Sequence, residues 1–184
     1  MFQIIQRKNP IFFTDNYDVV LVGTSIFGDL EVGGFQAQMR FKYPYIHEIN
    51  YSQNYGDTRL LGTRVTIEKE GNPTISLLYI CGYLNKKTRE ELDIDALENC
   101  LATANAEFKG KRIITIPMGA SKIDGGHSKS GCLRYMRKHL TDVDVDVYDY
   151  PQEKYKDMCW KIRRNVKSES QLLKFMELKK NYLK

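Results

Sequence analysis

Histidine is scarce in this chain, with 3 in 184 residues, and the 4 cysteines (Cys81, Cys100, Cys132 and Cys159) stand far apart. No Cys-x-x-Cys pair occurs and no histidine spacing suits a metal, so neither a metal site nor a bound cofactor is expected. No apolar run approaches the roughly 20 residues that cross a bilayer, so no membrane association is expected. The opening residues, Met1-Phe2-Gln3-Ile4-Ile5-Gln6-Arg7, lack the charged-then-apolar order of a secretion signal and read as a first strand. The cysteines therefore read as reduced thiols in or near the core of a cytoplasmic protein, in the host cytoplasm if the source is viral.

What the chain does contain is ordinary for a folded domain: 42% hydrophobic and 28% charged residues, enough to bury a real core. The net charge of +5 is unevenly placed. Residues 151–184 carry ten Lys or Arg against four Asp or Glu, a net of +6, which leaves about −1 for residues 1–150. That asymmetry divides the chain into a body, 1–150, and a basic amphipathic helical extension, 151–184, with Tyr155, Cys159, Ile162 and Val166 at helical spacing. The extension reads as a helix packed on the body with a solvated basic face. Alternatively, it contacts nucleic acid or a partner protein.

The body alternates strand-like and helix-like segments. Residues 17–22 read as a buried strand ending at Gly23. Residues 33–43 read as a helix with Phe35, Met39 and Tyr43 on one face, stopped by Pro44. Residues 61–67 and 74–81 form a hairpin-like pair of strands, followed by a helix over 94–108, a strand over 112–116 and a helix over 128–140. Residues 142–148 alternate strictly between acidic and apolar, which predicts a strand with one wet face in an edge or half-exposed position. Strands interleaved with helices give an α/β layered fold, and the hairpin makes its sheet mixed.

The most informative stretch runs from Ile113 to Ser128. Apolar strand residues reach Pro117 and then Gly119-Ala120-Ser121-Lys122-Ile123-Asp124-Gly125-Gly126-His127, before a helix start. A strand, a small-residue loop and a helix N-terminus bring backbone N–H groups to one spot, which suits phosphate. Gly33 and Gly34, before the first helix, repeat the pattern; they either admit a diphosphate or make a plain tight turn. Asp124 is a candidate general acid, base or orienting group, or else a cap for the following helix. Lys122 could neutralise phosphate or merely be solvated, and His127 could assist proton transfer or be an exposed loop residue. Thr24 and Ser25 offer hydroxyls to a ribose or phosphate, or serve turn chemistry. Tyr148 and Tyr150 end the last strand, with Tyr150 a stacking partner for a base or a packing residue.

Segment order and local motifs together resemble the macro domain family, which binds ADP-ribose and its derivatives. The likeness is to the branch that removes ADP-ribose from carboxylates or processes ADP-ribose phosphates, with phage and bacterial members. It is carried by Val32-Gly33-Gly34-Phe35 running to Tyr43-Pro44, by Leu61-Gly62-Thr63-Arg64-Val65, by Pro117-Met118-Gly119-Ala120-Ser121-Lys122-Ile123-Asp124, and by the strand at 142–148. The resemblance implies a three-layer α/β/α sandwich with a mixed sheet and an ADP-ribose-type ligand. It also implies diphosphate contacts from Gly33–Phe35 and from Gly119, Ala120, Ser121, Lys122 and Ile123, and a catalytic part for Asp124. Three places depart from the family pattern. Asn9-Pro10 stands where the family has the Gly-Asp that reads adenine. Gly23-Thr24-Ser25 stands where many members place an Asn. No Lys follows Leu78-Tyr79-Ile80-Cys81-Gly82. A module that binds the nucleotide without turnover is the alternative reading.

Overall fold

The computed structural model describes residues 1–6, 8–26, 34–46, 49, 56–83, 90–118 and 128–149. Strands β1 (Phe2–Gln6), β2 (Val19–Ser25), β3 (Arg64–Ile67), β4 (Thr74–Tyr83), β5 (Glu90–Leu92), β6 (Arg112–Thr115) and β7 (Asp144–Asp149) form a 7-stranded sheet. Its order is β1-β7-β6-β2-β4-β3, with β5 also on β4. The ladders from β1 across to β4 are parallel, and β3 and β5 run antiparallel to β4. Cys81 pairs with both Ser25 and Leu92, so β5 continues the edge that β3 begins.

Strand alternation divides the side chains of this sheet between two apolar layers. Val20, Val22, Ile75, Leu77 and Ile114 face helix α1 (Gly34–Lys42), which buries Phe35 and Met39 against them. Val19, Leu21, Leu78, Ile80, Ile113, Val145 and Val147 face the other way. There α2 (Ile94–Glu107) inserts Leu97, Cys100, Leu101 and Ala104, and α3 (Lys129–His139) inserts Cys132 and Met136. The result is the expected three-layer sandwich with a mixed sheet. Each fully buried aliphatic side chain in these layers contributes about 1.5–3 kcal/mol. Cys81, Cys100 and Cys132 are buried free thiols. Among the described residues, no helix is long and apolar enough to cross a membrane.

The last strand corrects its sequence reading. β7 is an interior strand between β1 and β6 rather than an edge. Asp144 is exposed, paired with the Met1 ammonium, but Asp146 is buried. Tyr17 Oη and Gln3 Nε2 donate to its two carboxylate oxygens, each at 2.5 Å. Burial and this carboxylate push the Tyr17 phenol well above its ordinary pKa. Alternation reports which face a residue occupies, not whether that face is wet. Here Phe13 and Tyr17 cover it, Phe13 stacking on Tyr148 at 5.5 Å between ring centroids.

Candidate functional site

The connections of this sheet change face at its centre. After β2 the chain passes to α1 on one side, and after β6 to α3 on the other. Two neighbouring parallel strands whose connections diverge in this way leave a crevice at their carboxyl ends, the usual ligand position in open α/β sheets.

The ladders flanking β2 carry the split directly. Toward β4, registered pairs run from Val19–Thr74 to Ser25–Cys81, with one irregularity between Thr24 and Ser25. Toward β6, registered pairs are Val19–Ile113 and Val20–Ile114 alone. At their amino ends the two strands are tied: Asp18 N donates to Arg112 O at 3.0 Å, and Arg112 N to Asp18 Oδ2 at 2.8 Å. Farther along, side chains serve the carbonyls on the β6-facing edge. Thr115 Oγ1 donates to Leu21 O at 3.0 Å, and Gln36 Nε2 to Gly23 O. A backbone carbonyl inside a fold needs a donor, and these two side chains supply it where the ladder has ended.

Thr24 follows at the carboxyl end of β2, on the face that Val20 and Val22 share with α1. It is 1% exposed, and among the described residues its Oγ1 has no hydrogen-bond partner. A buried hydroxyl left unpaired costs about 1–3 kcal/mol. The adjacent helix end is electrostatically suited to an anion. The first turn of α1 carries no acidic side chain, and neither does that of α3, whereas α2 opens with Asp93 as cap and Asp95. In α3, Ser128 Oγ accepts from Gly131 N at 3.1 Å, and Lys129 pairs with Asp149 at the end of β7.

The sequence-predicted site residues divide as follows. Thr24 lies near the carboxyl end of β2, Gly34 and Phe35 open α1, and Phe35 is 2% exposed in the core that α1 shares with Val20 and Val22. Gly33, Gly119, Ala120, Ser121, Lys122, Ile123, Asp124, His127 and Tyr150 lie outside the described residues, as does the 151–184 extension. Gly23, Thr24 and Ser25 are the last residues of β2, not a loop. Ile80 packs closely over Gly23: a methyl group added there would meet Ile80 Cδ1 at 2.7 Å. Asn9, at the place of the family's Gly-Asp, is 2% exposed and has both ends of its amide occupied. Its Nδ2 donates to Gln38 Oε1 at 2.7 Å, and its Oδ1 accepts from Ile11 N at 3.2 Å. Tyr148 is a core residue at 4% exposure. Among the described residues, no group of His, Cys, Asp and Glu could hold a metal ion. Gln36 and Thr115 were not legible as site residues. Only the threonine ending the Ile113-Ile114-Thr115 run hints at a change in the ladder.

This architecture is the macrodomain fold. Solved structures similar to the chain include the macrodomain of Thermus aquaticus DarG, with a TM-score of 0.59 at 12% identity, covering 81% of this chain and 99% of that one. The macrodomain of Mycobacterium tuberculosis DarG superposes with a TM-score of 0.60 at 12% identity, covering 82% and 100%. A Thermosipho africanus DarTG in complex with ADP-ribose gives a TM-score of 0.58 at 12% identity, over 89% of this chain and 44% of that one. No protein-family profile matches the sequence, and no curated protein does.

Proposed function

We propose that this chain binds ADP-ribose or a related NAD-derived nucleotide in the crevice at the carboxyl ends of β2 and β6. The observation that carries this reading is the Thr24 hydroxyl near the carboxyl end of β2, buried without a partner among the described residues. A ligand hydroxyl or phosphate oxygen at that point pairs with it, and the diphosphate meets the backbone amides of the first turn of α1. The ADP-ribose in the Thermosipho relative supports the choice of ligand. Gly33, Gly34 and Phe35 on one side, and Gly119 to Ile123 on the other, form the diphosphate clamp in this reading.

Its enzymatic form is hydrolysis of an ADP-ribosyl ester or of ADP-ribose phosphate, with Asp124 positioning water or the substrate ribose and backbone donors stabilising the developing charge. A specific observation favours the rival, a module that binds without turnover: β4 runs through Gly82 to Tyr83 without a lysine. Calorimetric titration with ADP-ribose, followed by chromatography of an ADP-ribosylated carboxylate incubated with the protein, decides between them. Micromolar binding with turnover that Asp124→Ala abolishes is the enzymatic outcome. Binding without turnover gives the module, and no binding rejects the ligand.

A further inference from the structure

We propose that Gln36 is a positioning residue for this site. It fastens the first turn of α1 to the edge of β2 that β6 has left, and thereby sets the distance between that turn's amides and a bound phosphate. The inference rests on the nucleotide-binding reading and extends it to a residue that touches no ligand itself.

The argument begins with the carbonyls of β2. Residues two apart along a strand direct their carbonyls to the same edge, so Leu21 O and Gly23 O both face the side where β6 lies. Registered pairing with β6 ends at Val20–Ile114. Leu21 O is then served by Thr115, a residue of β6 itself. Gly23 O, two residues farther along, is served from α1, by the side chain of Gln36. A carbonyl accepts only, so the amide nitrogen of Gln36 must be the end that faces it.

Gln36 stands two residues after Gly34, inside the first turn of α1. Helix backbone in that turn moves with the side chain that anchors it. The opposite end of α1 is held by different groups: Lys42 Nζ donates to Ile11 O at 3.1 Å and to Thr14 Oγ1 at 2.7 Å, and pairs with Asp15 at 2.7 Å. Midway, Gln38 accepts from Asn9. Of these fastenings, Gln36 alone ties α1 to the carboxyl half of β2. Its loss therefore loosens the end of the helix nearest Thr24 and leaves the other end in place. The half-buried Gly23 carbonyl would also be left without its donor.

The test uses Gln36→Met, which keeps the length of the side chain and removes the donor, in the full chain. Hydrogen exchange is followed at the amides of Gln38, Met39 and Arg40, which close the first turn of α1, with the α2 amides as internal reference. Affinity for ADP-ribose is measured by calorimetry on the same samples, and the melting temperature reports global stability. The expected result is at least ten-fold faster exchange at those three amides with α2 unchanged, and about five- to ten-fold weaker ADP-ribose binding. The melting temperature should change little. Unchanged exchange at the three amides overturns the anchoring. Faster exchange with unchanged affinity overturns the positioning role, and a large drop in melting temperature with unchanged affinity makes Gln36 purely structural. If the wild-type protein itself does not bind ADP-ribose, the nucleotide reading has failed, and the exchange result alone decides whether Gln36 anchors α1.

Discussion

The two faces of the sheet are covered by different means. On the α2 and α3 side the buried contacts are mainly aliphatic: Leu97, Leu101, Ala104 and Met136 are fully buried against Leu21, Leu78 and Ile113. On the α1 side that nine-residue helix is supplemented by short 3₁₀ turns at Pro10–Phe12 and Thr14–Asn16 and by polar linkages. Asn9 with Gln38, Thr14 with Tyr43, and Asp146 with Tyr17 are all hydrogen-bonded on that face. Among the described residues, Thr24 carries a buried hydroxyl without a partner at the end of β2. Apolar packing gives stability without direction, whereas hydrogen bonds fix relative position because their geometry is narrow. In the proposed reading, the face with these directional contacts is the one that holds a helix end in register with a ligand.

This contrast can be broken first on the apolar side. Leu101→Ala removes a fully buried side chain beneath α2 and is expected to cost about 2–5 kcal/mol in urea unfolding. The ADP-ribose affinity of the folded fraction should stay at the wild-type value. A parallel loss of affinity would show that the two faces are not independent.

A smaller effect belongs to the polar side. Burial alone would raise the Asp15 pKa, but hydrogen bonds from Lys42 and Tyr43, with the charge of Lys42, outweigh it and hold it below the ordinary 3.8. A group with a depressed folded pKa stabilises the fold above its unfolded pKa and loses that contribution as pH falls through the folded value. Stability should therefore drop below about pH 3.8, and Asp15→Asn should flatten that part of the acid unfolding curve. The Asp15 side chain is 64% exposed, so water screens the interaction and the difference stays under about 1 kcal/mol. An acid limb identical in both proteins would remove Asp15 from the account.

The smallest effect sharpens the contrast chemically. Burial pushes the Cys100 thiol up to about 12, and its Sγ donates to Thr63 O at 3.2 Å. At pH 8 the reactive thiolate is almost absent, so iodoacetamide should leave Cys100 unmodified in peptide mapping until denaturant is added. Rapid labelling of native protein would mean that the α2 layer opens far more readily than its packing implies.

Local signals in the sequence located most elements. The four-residue spacing of Phe35, Met39 and Tyr43 placed α1, and the turn of Glu70, Gly71 and Asn72 between apolar runs placed the β3–β4 hairpin. These readings worked because helix and strand periodicity, and the backbone freedom of glycine, are properties of neighbouring residues. Strand β5 escaped notice because Glu90-Glu91-Leu92 is too short to display a period.

The sequence by itself thus determined an α/β layered chain and its approximate element order. Only the tertiary structure decided that β7 is interior, because strand order depends on pairing between residues more than a hundred positions apart, such as Phe2 with Val145. For the same reason it alone placed Gly23, Thr24 and Ser25 inside β2 and ended the registered β2–β6 ladder after two pairs. It also brought Gln36 to the carbonyl left behind. A hydrogen-bond partner distant in sequence has no local signature, so which buried polar groups are satisfied, and which hydroxyl is left over, is settled only when the strands and helices are assembled.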